Sequence, residues 1–267
     1  MKKQFFASLL AGAVLAFAGF AAHAQDTLKF GVADEPYPPV SSKDASGKWV
    51  GFEMDLMDAL CAQMKAKCEL VPVAWEGIIP ALQEKKIDVI FSSMSITAKR
   101  KEVIDFSDKY YQTPAMFIGA KATKVDLCPE TGICKDWMKG KVIGVQVSTI
   151  HAAYAQKAFG DVAEVKTYDK QDNANADLVA GRVDVALADS VALLDFLKSD
   201  QGKDYEKKAL APSDPIFGDG VGAGVRKEDT ALREKINAAI KAVRDDGTFK
   251  KLNDKYFDFD VYGAPAS

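Results

Sequence analysis

Short apolar runs alternate with segments of helical periodicity along the first part of the chain. We predict strands at residues 28–33, 68–74 and 87–91, and helices at residues 52–64 and 77–84. The apolar positions of residues 52–64 recur every three or four residues, which places them on one face of a helix. This alternation of strands and helices is typical of an open sheet covered by helices.

The same alternation recurs farther along the chain. We predict strands at residues 141–146, 163–168 and 183–187, and helices at residues 150–158 and 173–180. The sequence therefore favours a second α/β unit after the first.

Two short segments hold corresponding places in these two units. They are Lys86-Ile-Asp-Val-Ile90 and Arg182-Val-Asp-Val-Ala186. Each places an aspartate between aliphatic residues within a predicted strand segment. This similarity predicts that the two units are repeats of one arrangement of strands and helices.

The last part of the chain continues the pattern. We predict a helix at residues 190–198, then a polar stretch at 199–215, and helices at 230–244 and 248–256. Between them, glycines alternate through the apolar residues 217–225, as in a strand that another backbone approaches closely. Glycines also mark dinucleotide sites, but no G-x-G-x-x-G here opens a helix with an acid about 20 residues later.

The first 24 residues have the features of a secretory signal peptide. Lys2 and Lys3 precede an apolar run, and Ala22-His23-Ala24 offers a small-residue cleavage site. We therefore predict a signal peptide at residues 1–24 and a periplasmic mature protein that starts at Gln25. No other segment is apolar enough to span a bilayer.

Removal of this peptide changes the net charge of the protein. The two lysines leave with it and no acid does, so the charge goes from −3 to −5. A negative charge makes nucleic acid and anionic membranes poor partners. The length that remains allows one large domain or two lobes around a hinge.

The four cysteines form two close pairs in the sequence, Cys61 with Cys68 and Cys128 with Cys134. In an exported protein, such pairs predict two local disulfides. Zinc is the competing interpretation, but neither pair has C-x-x-C spacing and the mature chain holds a single histidine, His151. We therefore expect disulfides and no metal.

Hydroxyl groups and an arginine follow the strand predicted at residues 87–91. Ser92, Ser93, Ser95 and Thr97 come first, and Arg100 comes one helical turn later. Open sheets bind ligands beyond the carboxyl ends of their strands, and an arginine fork with nearby hydroxyls can bind a carboxylate. The alternative is helix capping by Ser95 or Thr97 with a solvated arginine.

The corresponding place in the second unit holds an acid, Asp189, just past a predicted buried strand. This carboxylate could bind a ligand ammonium, or it could cap the helix that begins near Ser190. A cation in one lobe and an anion in the other are what an α-amino acid requires.

Several long motifs in one order carry a resemblance over the whole mature chain. It resembles the periplasmic solute-binding proteins of ABC amino-acid importers, most closely the lysine/arginine/ornithine-binding and histidine-binding proteins and their opine-binding relatives. The matching motifs are Tyr37-Pro-Pro-Val-Ser-Ser-Lys-Asp44, Val50-Gly-Phe-Glu-Met-Asp-Leu56, Trp75-Glu-Gly-Ile-Ile-Pro-Ala-Leu82, Ile87-Asp-Val-Ile-Phe-Ser-Ser-Met-Ser-Ile-Thr-Ala-Lys-Arg100, Ala180-Gly-Arg-Val-Asp-Val-Ala-Leu-Ala-Asp189 and Tyr256-Phe-Asp-Phe-Asp-Val-Tyr-Gly263.

This resemblance implies a two-lobe flytrap fold in which each lobe is an open sheet flanked by helices, with the ligand cleft between the lobes. The first lobe would be discontinuous, at residues 25–112 and 215–267, and the second would occupy residues 113–214. The implied protein is a monomer without a cofactor. It binds a basic L-amino acid by lobe closure and delivers it to the membrane permease.

The resemblance also implies roles for individual residues around the ligand's α-carbon. Arg100 would hold the α-carboxylate and Asp189 the α-ammonium. Thr149 would close on the carboxylate from the second lobe, where the segment Gln146-Val-Ser-Thr-Ile-His151 departs from the family pattern. The remaining carboxylate and main-chain contacts would come from Ser92, Ser93 and Ser95, and Gln146 completes this set.

The choice of ligand side chain is expected from Asp34, Glu35, Tyr37 and Trp75. Asp34 matches an acid that faces the ligand's distal cation in basic-ligand relatives, although Asp34 and Glu35 could exchange roles. Tyr37 and Trp75 match aromatic residues that sandwich the aliphatic stem of the ligand. An acid with aromatic faces suits an ammonium or a guanidinium group.

Three alternatives remain at this point. A bulky opine could be the ligand, because opine-binding relatives vary near Gln146 to His151. A few periplasmic dehydratases resemble this fold, and catalysis would then require Glu35 or His151 as the acid or base. A receptor domain would use the same cleft. We expect no enzyme activity, because Arg100 and Asp189 already account for amino-acid recognition.

Overall fold

The computed structural model describes residues 27–263. The predicted signal peptide at residues 1–24 and the predicted start at Gln25 lie outside the described residues. Within residues 27–263, no helix is both long enough and apolar enough to cross a membrane.

Strands and helices alternate through the described residues. The strands are β1 (Thr27–Ala33), β2 (Ser42–Lys43), β3 (Trp49–Val50), β4 (Lys67–Val73), β5 (Val89–Ile90), β6 (Asp105–Tyr111), β7 (Ala115–Ala120), β8 (Leu127–Cys128), β9 (Gly132–Ile133), β10 (Val142–Gln146), β11 (Glu164–Tyr168), β12 (Val185–Asp189), β13 (Tyr205–Leu210) and β14 (Val221–Val225). The helices are α1 (Phe52–Met64), α2 (Ile78–Gln83), α3 (Ala98–Lys101), α4 (Lys135–Met138), α5 (Ile150–Phe159), α6 (Gln171–Val179), α7 (Ser190–Lys198), α8 (Thr230–Asp245) and α9 (Thr248–Tyr256), with 3₁₀ turns at Trp75–Gly77 and Pro215–Phe217.

Two five-stranded sheets organise the chain into two lobes. The sheet of lobe 1 has the order β4-β1-β5-β14-β6, and the sheet of lobe 2 has the order β11-β10-β12-β7-β13. In both sheets the first three strands are parallel and the fourth runs antiparallel to them. The predicted two-lobe α/β fold is therefore confirmed, and the two lobes share one strand plan.

The sequence motif repeated at residues 86–90 and 182–186 occupies equivalent positions in the two sheets. Asp88 accepts a hydrogen bond from the amide of Lys29 at 3.0 Å, and Asp184 accepts one from the amide of Val142 at 2.8 Å. Asp88, directly before β5, thereby links that strand to the start of β1. Asp184, directly before β12, links that strand to the start of β10. The repeated motif holds the same strand junction in both lobes.

The chain passes between the sheets twice. It leaves lobe 1 at the end of β6, Tyr111, and β7 begins in lobe 2 at Ala115. It returns between Leu210, the end of β13, and Val221, the start of β14. The exact limits of the lobes, at residues 25–112, 113–214 and 215–267, stay a prediction.

The polar stretch at residues 199–215 contains a strand, β13, that its sequence does not predict. Within its sheet β13 pairs only with β7, so it is an edge strand, and its register shifts between Lys207 and Ala209. Edge strands carry polar residues that protect them from pairing with other chains. This edge position explains why β13 lacks the apolar alternation of an inner strand.

The core of lobe 1 lies between its sheet and helices α1, α8 and α9. Phe52 and Leu56 of α1 are fully buried and belong to one apolar cluster with Val89 of β5 and Ile236 of α8. Helix α1 has the bounds that its apolar periodicity predicts. In lobe 2, Phe117, Phe159 and Leu187 belong to a separate buried cluster, so each lobe has its own core.

Both cysteine pairs form the predicted disulfides. Cys61 of α1 bonds to Cys68 of β4, and Cys128 of β8 bonds to Cys134 after β9. Within residues 27–263, no group of three or more His, Cys, Asp or Glu side chains is arranged to hold a metal ion.

The glycine-rich strand β14 is an inner strand of the lobe 1 sheet, between β5 and β6. All five of its residues are buried. A methyl group on Gly222 would lie 2.8 Å from Cδ1 of Ile96 and 3.1 Å from the carbonyl oxygen of Ser107. Neighbouring groups thus approach this strand closely, as its alternating glycines predict.

Candidate functional site

A cavity lies between the lobes at the carboxyl ends of β1, β10 and β12. This is the position at which open α/β sheets bind ligands. Its lining from lobe 1 consists of Ala33, Glu35, Pro36, Tyr37, Ser41, Trp75, Ser92, Ser93, Ser95 and Arg100. Its lining from lobe 2 consists of Gln146, Thr149, Ile150, His151, Lys170, Gln171, Asp172, Ala188 and Asp189. The cavity thus brings together every site residue that the sequence predicts except Asp34.

The hydroxyl-rich segment after β5 divides into a capping residue and cavity residues. Thr97 is the N-cap of α3 and accepts a hydrogen bond from the amide of Arg100 at 3.2 Å. Ser92, Ser93 and Ser95 line the cavity, and the Ser92 hydroxyl accepts a hydrogen bond from the amide of Ala33 at 2.8 Å. Capping and cavity lining both occur in this segment, but at different hydroxyls.

The Arg100 guanidinium reaches across the cleft between the lobes. It donates to the carbonyl oxygen of Ser95 at 3.0 Å and to the carbonyl oxygen of Ser148, in lobe 2, at 3.2 Å. Its central carbon lies 5.5 Å from the ring centroid of Trp75. Burial lowers the pKa of Arg100 to about 10, so the group stays charged at neutral pH. A guanidinium has five N–H donors, so donors remain for a carboxylate.

Asp189 lies at the end of β12 and places a carboxylate of lobe 2 in the cavity. It caps α7 by accepting a hydrogen bond from the amide of Val191 at 3.0 Å, and it also accepts one from the Thr113 hydroxyl. The Tyr37 hydroxyl lies beside it, from lobe 1. Burial raises the pKa of Asp189 to about 6 despite these donors. A carboxylate in this environment gains from a cationic partner.

The first turn of α5 provides the rest of the lobe 2 wall. Thr149 caps α5 by accepting from the amide of Ala152 at 3.0 Å, and its hydroxyl donates to the carbonyl oxygen of Gln146 at 2.7 Å. The side-chain amide of Gln146 donates to the carbonyl oxygen of Asp169 at 3.1 Å. Both predicted residues line the cavity, and both are fixed by contacts within lobe 2.

The structure places Asp34 outside the cavity and Glu35 inside it. Asp34 is 55% exposed at its side chain and pairs with Lys43 at 3.2 Å on the surface. Its amide donates to the carbonyl oxygen of Val73 at 3.0 Å, which extends the β1–β4 ladder by one residue. Because side chains alternate along an extended chain, Ala33 and Glu35 face the cavity and Asp34 faces away. Of the two acids between which the sequence leaves a choice, Glu35 lines the cavity and Asp34 does not.

Glu35 and Trp75 form one part of the cavity wall. Oε1 of Glu35 accepts a hydrogen bond from the backbone amide of Trp75 at 3.3 Å. The buried Oε2 of Glu35 and Nε1 of Trp75 have no hydrogen-bond partner among residues 27–263. This wall therefore offers a carboxylate oxygen next to an aromatic face.

His151 lies in the first turn of α5 and lines the cavity. Burial and the charge of Arg100 lower the pKa of His151 to about 3, so the imidazole is neutral at physiological pH. A neutral imidazole beside Arg100 adds no charge to the site.

Sequence reasoning missed several cavity residues. They are Ser41, Ile150, Lys170, Gln171 and Asp172. Helix α6 begins at Gln171, two residues before its predicted start, so its first turn reaches the cavity. The carboxyl-end rule, applied to β11 as it was to β5 and β12, would have indicated the segment from 169 to 172.

A family model describing bacterial extracellular solute-binding proteins, family 3, matches residues 28–259 of the chain. The match covers nearly all of the described residues, including both lobes.

Named relatives and a solved structure are similar over most of the chain. An L-arginine-binding protein of Pseudomonas aeruginosa is 43% identical, over 99% of this chain and 100% of its own length. A lysine/arginine/ornithine-binding periplasmic protein of Escherichia coli is 42% identical, over 98% of this chain and 100% of its own length. The structure of an ancestral arginine-binding protein bound to arginine is 34% identical with a TM-score of 0.77, over 86% of this chain and 98% of that one.

Proposed function

The chain belongs to the bacterial extracellular solute-binding proteins, family 3, and we propose that it is the periplasmic binding subunit of an ABC importer for a basic L-amino acid. Its named relatives are binding proteins for arginine and for lysine, arginine and ornithine. In this role the protein acts as a monomer and delivers its ligand to a membrane permease.

One observation carries the proposal: a single cavity holds a half-buried guanidinium, Arg100, and two separate carboxylates, Asp189 and Glu35, with one further charge of each sign, Lys170 and Asp172, where α6 begins. A basic amino acid at neutral pH has one carboxylate and two cations. Arg100, Asp189 and Glu35 can therefore each pair with one charge of such a ligand, whereas a neutral or acidic amino acid would leave Glu35 without a cationic partner.

The contacts of each residue support specific roles. Arg100 binds the α-carboxylate, because a guanidinium can hold both carboxylate oxygens at once. Asp189 binds the α-ammonium, which offsets the cost of burying its own charge. Ser92, Ser93, Ser95 and Thr149 complete the hydrogen bonds of the α-carbon groups, with Gln146 beside them.

Glu35 and Trp75 favour a ligand with a distal cation. The buried Oε2 of Glu35 can accept from an ammonium or a guanidinium, and the faces of Trp75 and Tyr37 can pack on the aliphatic stem. A planar guanidinium offers several donors to one carboxylate and stacks on an aromatic ring. Arginine is accordingly the ligand we favour within the basic amino acids.

Closure of the two lobes over the ligand follows from this arrangement. Arg100 and Glu35 come from lobe 1, whereas Asp189 and Thr149 come from lobe 2, so a bound amino acid contacts both. A ligand that makes more contacts in the closed form shifts the population toward it. The permease can then distinguish the liganded protein from the open one by its shape.

The proposal is tested by calorimetric titration of protein that has been unfolded and refolded to remove carried ligand. Arginine and citrulline form the decisive pair, since citrulline has a similar shape and lacks the distal cation. Loss of a charge-assisted hydrogen bond predicts that Glu35→Gln weakens arginine binding by about 10- to 100-fold and citrulline binding much less. The matched control is the neighbouring acid: Asp34→Asn should leave both affinities within about twofold of the unmodified protein.

Equal loss for arginine and citrulline in Glu35→Gln would contradict the role of Glu35. A loss of arginine affinity, but not of citrulline affinity, in Asp34→Asn would instead assign recognition of the distal cation to Asp34. Absence of binding to any basic amino acid would contradict the proposed function itself.

A further inference from the structure

A fully buried acid, Glu53, lies behind the cavity wall in the first turn of α1. It is 0% exposed. It does not line the cavity, and no role for it follows from the charges of an amino acid. A carboxylate is costly to bury, so its contacts indicate what the protein gains from it.

Oε1 of Glu53 binds the segment that carries the cavity serines. It accepts hydrogen bonds from the backbone amide of Ser93 at 2.7 Å and from the Tyr110 hydroxyl at 2.5 Å. The Tyr110 ring in turn stacks on Phe91, the residue two positions before Ser93, at 4.7 Å between centroids. Glu53 is thus anchored on β6 and holds the chain just after β5.

Ser93 has a backbone conformation that a serine rarely adopts. Its φ of 53° lies in the left-handed region, where the Cβ of an L-residue is crowded. Ser92, directly before it, and Ser95, two residues after it, line the cavity, and the carbonyl oxygen of Ser95 accepts a hydrogen bond from Arg100. The conformation of Ser93 therefore sets the directions of the groups that surround the ligand's carboxylate.

The strength of the hold on Ser93 depends on the charge of Glu53. Because Oε1 already accepts two hydrogen bonds, a proton would sit on Oε2, which has no hydrogen-bond partner among residues 27–263. An amide bonds more strongly to a charged carboxylate than to a neutral carboxyl group. Protonation would leave the contact in place but weaken it.

We propose that Glu53 is a positioning residue for ligand binding: its charged carboxylate fixes the strained Ser93 and so preorganises the serine segment and Arg100 for the ligand's carboxylate. The proposal rests on the proposed function. It extends that function to a residue that touches no ligand and to a dependence of affinity on pH.

The groups around Glu53 determine the direction of this pH dependence. Tyr110 and Tyr111 face it from β6, and Tyr37 faces it from the segment after β1. Asp189 of lobe 2 interacts with Tyr37 and Tyr111 from the other side. None of these four groups is a cation, and burial raises the pKa of Glu53 to about 7. The charged, binding-competent form is therefore lost as the pH falls through 7.

The test measures arginine affinity by calorimetry between pH 5.5 and 8.5. In the unmodified protein, arginine affinity should decrease in two titration steps as the pH falls. One step is centred near pH 7, where Glu53 gains a proton, and the other near pH 6, where Asp189 does. Glu53→Gln keeps the shape of the side chain and one acceptor oxygen, so this variant should bind arginine about tenfold more weakly at pH 8. It should lack the titration step near pH 7 and keep the step near pH 6. The matched control is Asp55→Asn, because Asp55 lies on the same helix but pairs with Lys255 at the surface. This variant should keep both titration steps of the arginine affinity.

Thermal unfolding of each variant at pH 8 separates positioning from loss of fold. Glu53→Gln removes a buried charge, so its midpoint should be at least that of the unmodified protein. A folded Glu53→Gln variant with unchanged affinity and an unchanged pH profile would overturn the proposal.

Hydrogen exchange of the Ser93 amide provides a second measurement, which needs no variant and no ligand. We expect strong protection of this amide at pH 8 and weaker protection, after correction for intrinsic rates, below pH 7. Exchange as fast as in an exposed loop would overturn the role of Glu53. A protein that binds no amino acid but protects Ser93 in this way would refute the proposed function and leave the positioning role intact.

Discussion

Replacement of Asp189 by asparagine should change how the stability of the ligand-free protein depends on pH. Burial raises the pKa of Asp189 from 3.8 to about 6 in the folded protein. The charged carboxylate is therefore tolerated less well in the folded chain than in the unfolded one. Protonated Asp189 therefore contributes to the stability of the folded protein. This contribution is fully present below pH 3.8 and is lost as the pH rises through 6.

The magnitude follows from the pKa change. Each tenfold change in an ionisation constant corresponds to about 1.4 kcal/mol, so the rise to about 6 corresponds to at most about 3 kcal/mol at neutral pH. Asparagine can still accept the hydrogen bond from the amide of Val191, so the cap on α7 is retained. Other changes caused by the substitution do not titrate and shift the free energy of unfolding equally at all pH values.

The assay is urea unfolding followed by circular dichroism, at several pH values between 4 and 7.5. Relative to the unmodified protein, Asp189→Asn should gain up to about 3 kcal/mol of stability as the pH increases across this range. The same variant should bind arginine much more weakly. A stability difference that stays within about 0.5 kcal/mol at all pH values would refute the view that Asp189 is a buried charge stabilised by the ligand's ammonium.

Two further predictions concern the arginine and a disulfide. Arg100→Lys keeps the charge but loses the fork that holds two carboxylate oxygens, so calorimetry should show at least about 10-fold weaker binding of every amino acid that the protein binds, and unchanged affinity would contradict the assigned role. Joint replacement of Cys128 and Cys134 by serine opens a loop with a sequence separation of 6, which should lower the free energy of urea unfolding by about 2 kcal/mol. Because residues 127–134 do not line the cavity, arginine affinity should be unchanged, and a loss of affinity would show coupling between this hairpin and the cleft.

Much of the fold was predictable because local pattern and tertiary structure agree there. The bounds of α1 follow from its apolar periodicity, and the repeated aspartates of the two strand motifs, Asp88 and Asp184, mark the same junction in both sheets. Strands such as β13 were not predicted, because an edge strand is stabilised by its neighbour and not by burial of its own side chains.

All but one of the predicted ligand-binding residues line the cavity, and the exception is one of two adjacent acids. Glu35 and Asp34 are adjacent acids, and only the direction of the chain after β1 decides between them. That direction is set by the hydrogen bond from Asp34 to Val73, a contact between residues 39 positions apart that no local pattern records. Glu53 was missed for a related reason, since its partners Ser93 and Tyr110 lie far along the chain.

The place of β14 in the sheet of lobe 1 has a consequence for the order in which the protein can be built. A chain that has been synthesised as far as residue 210 contains every strand of the lobe 2 sheet, from β7 to β13. The lobe 1 sheet at that stage lacks residues 221–225, which separate β5 from β6. Lobe 2 can therefore complete its sheet from residues up to 210, whereas lobe 1 must wait for a strand near the end of the chain, and the ligand cleft cannot form before that strand is available.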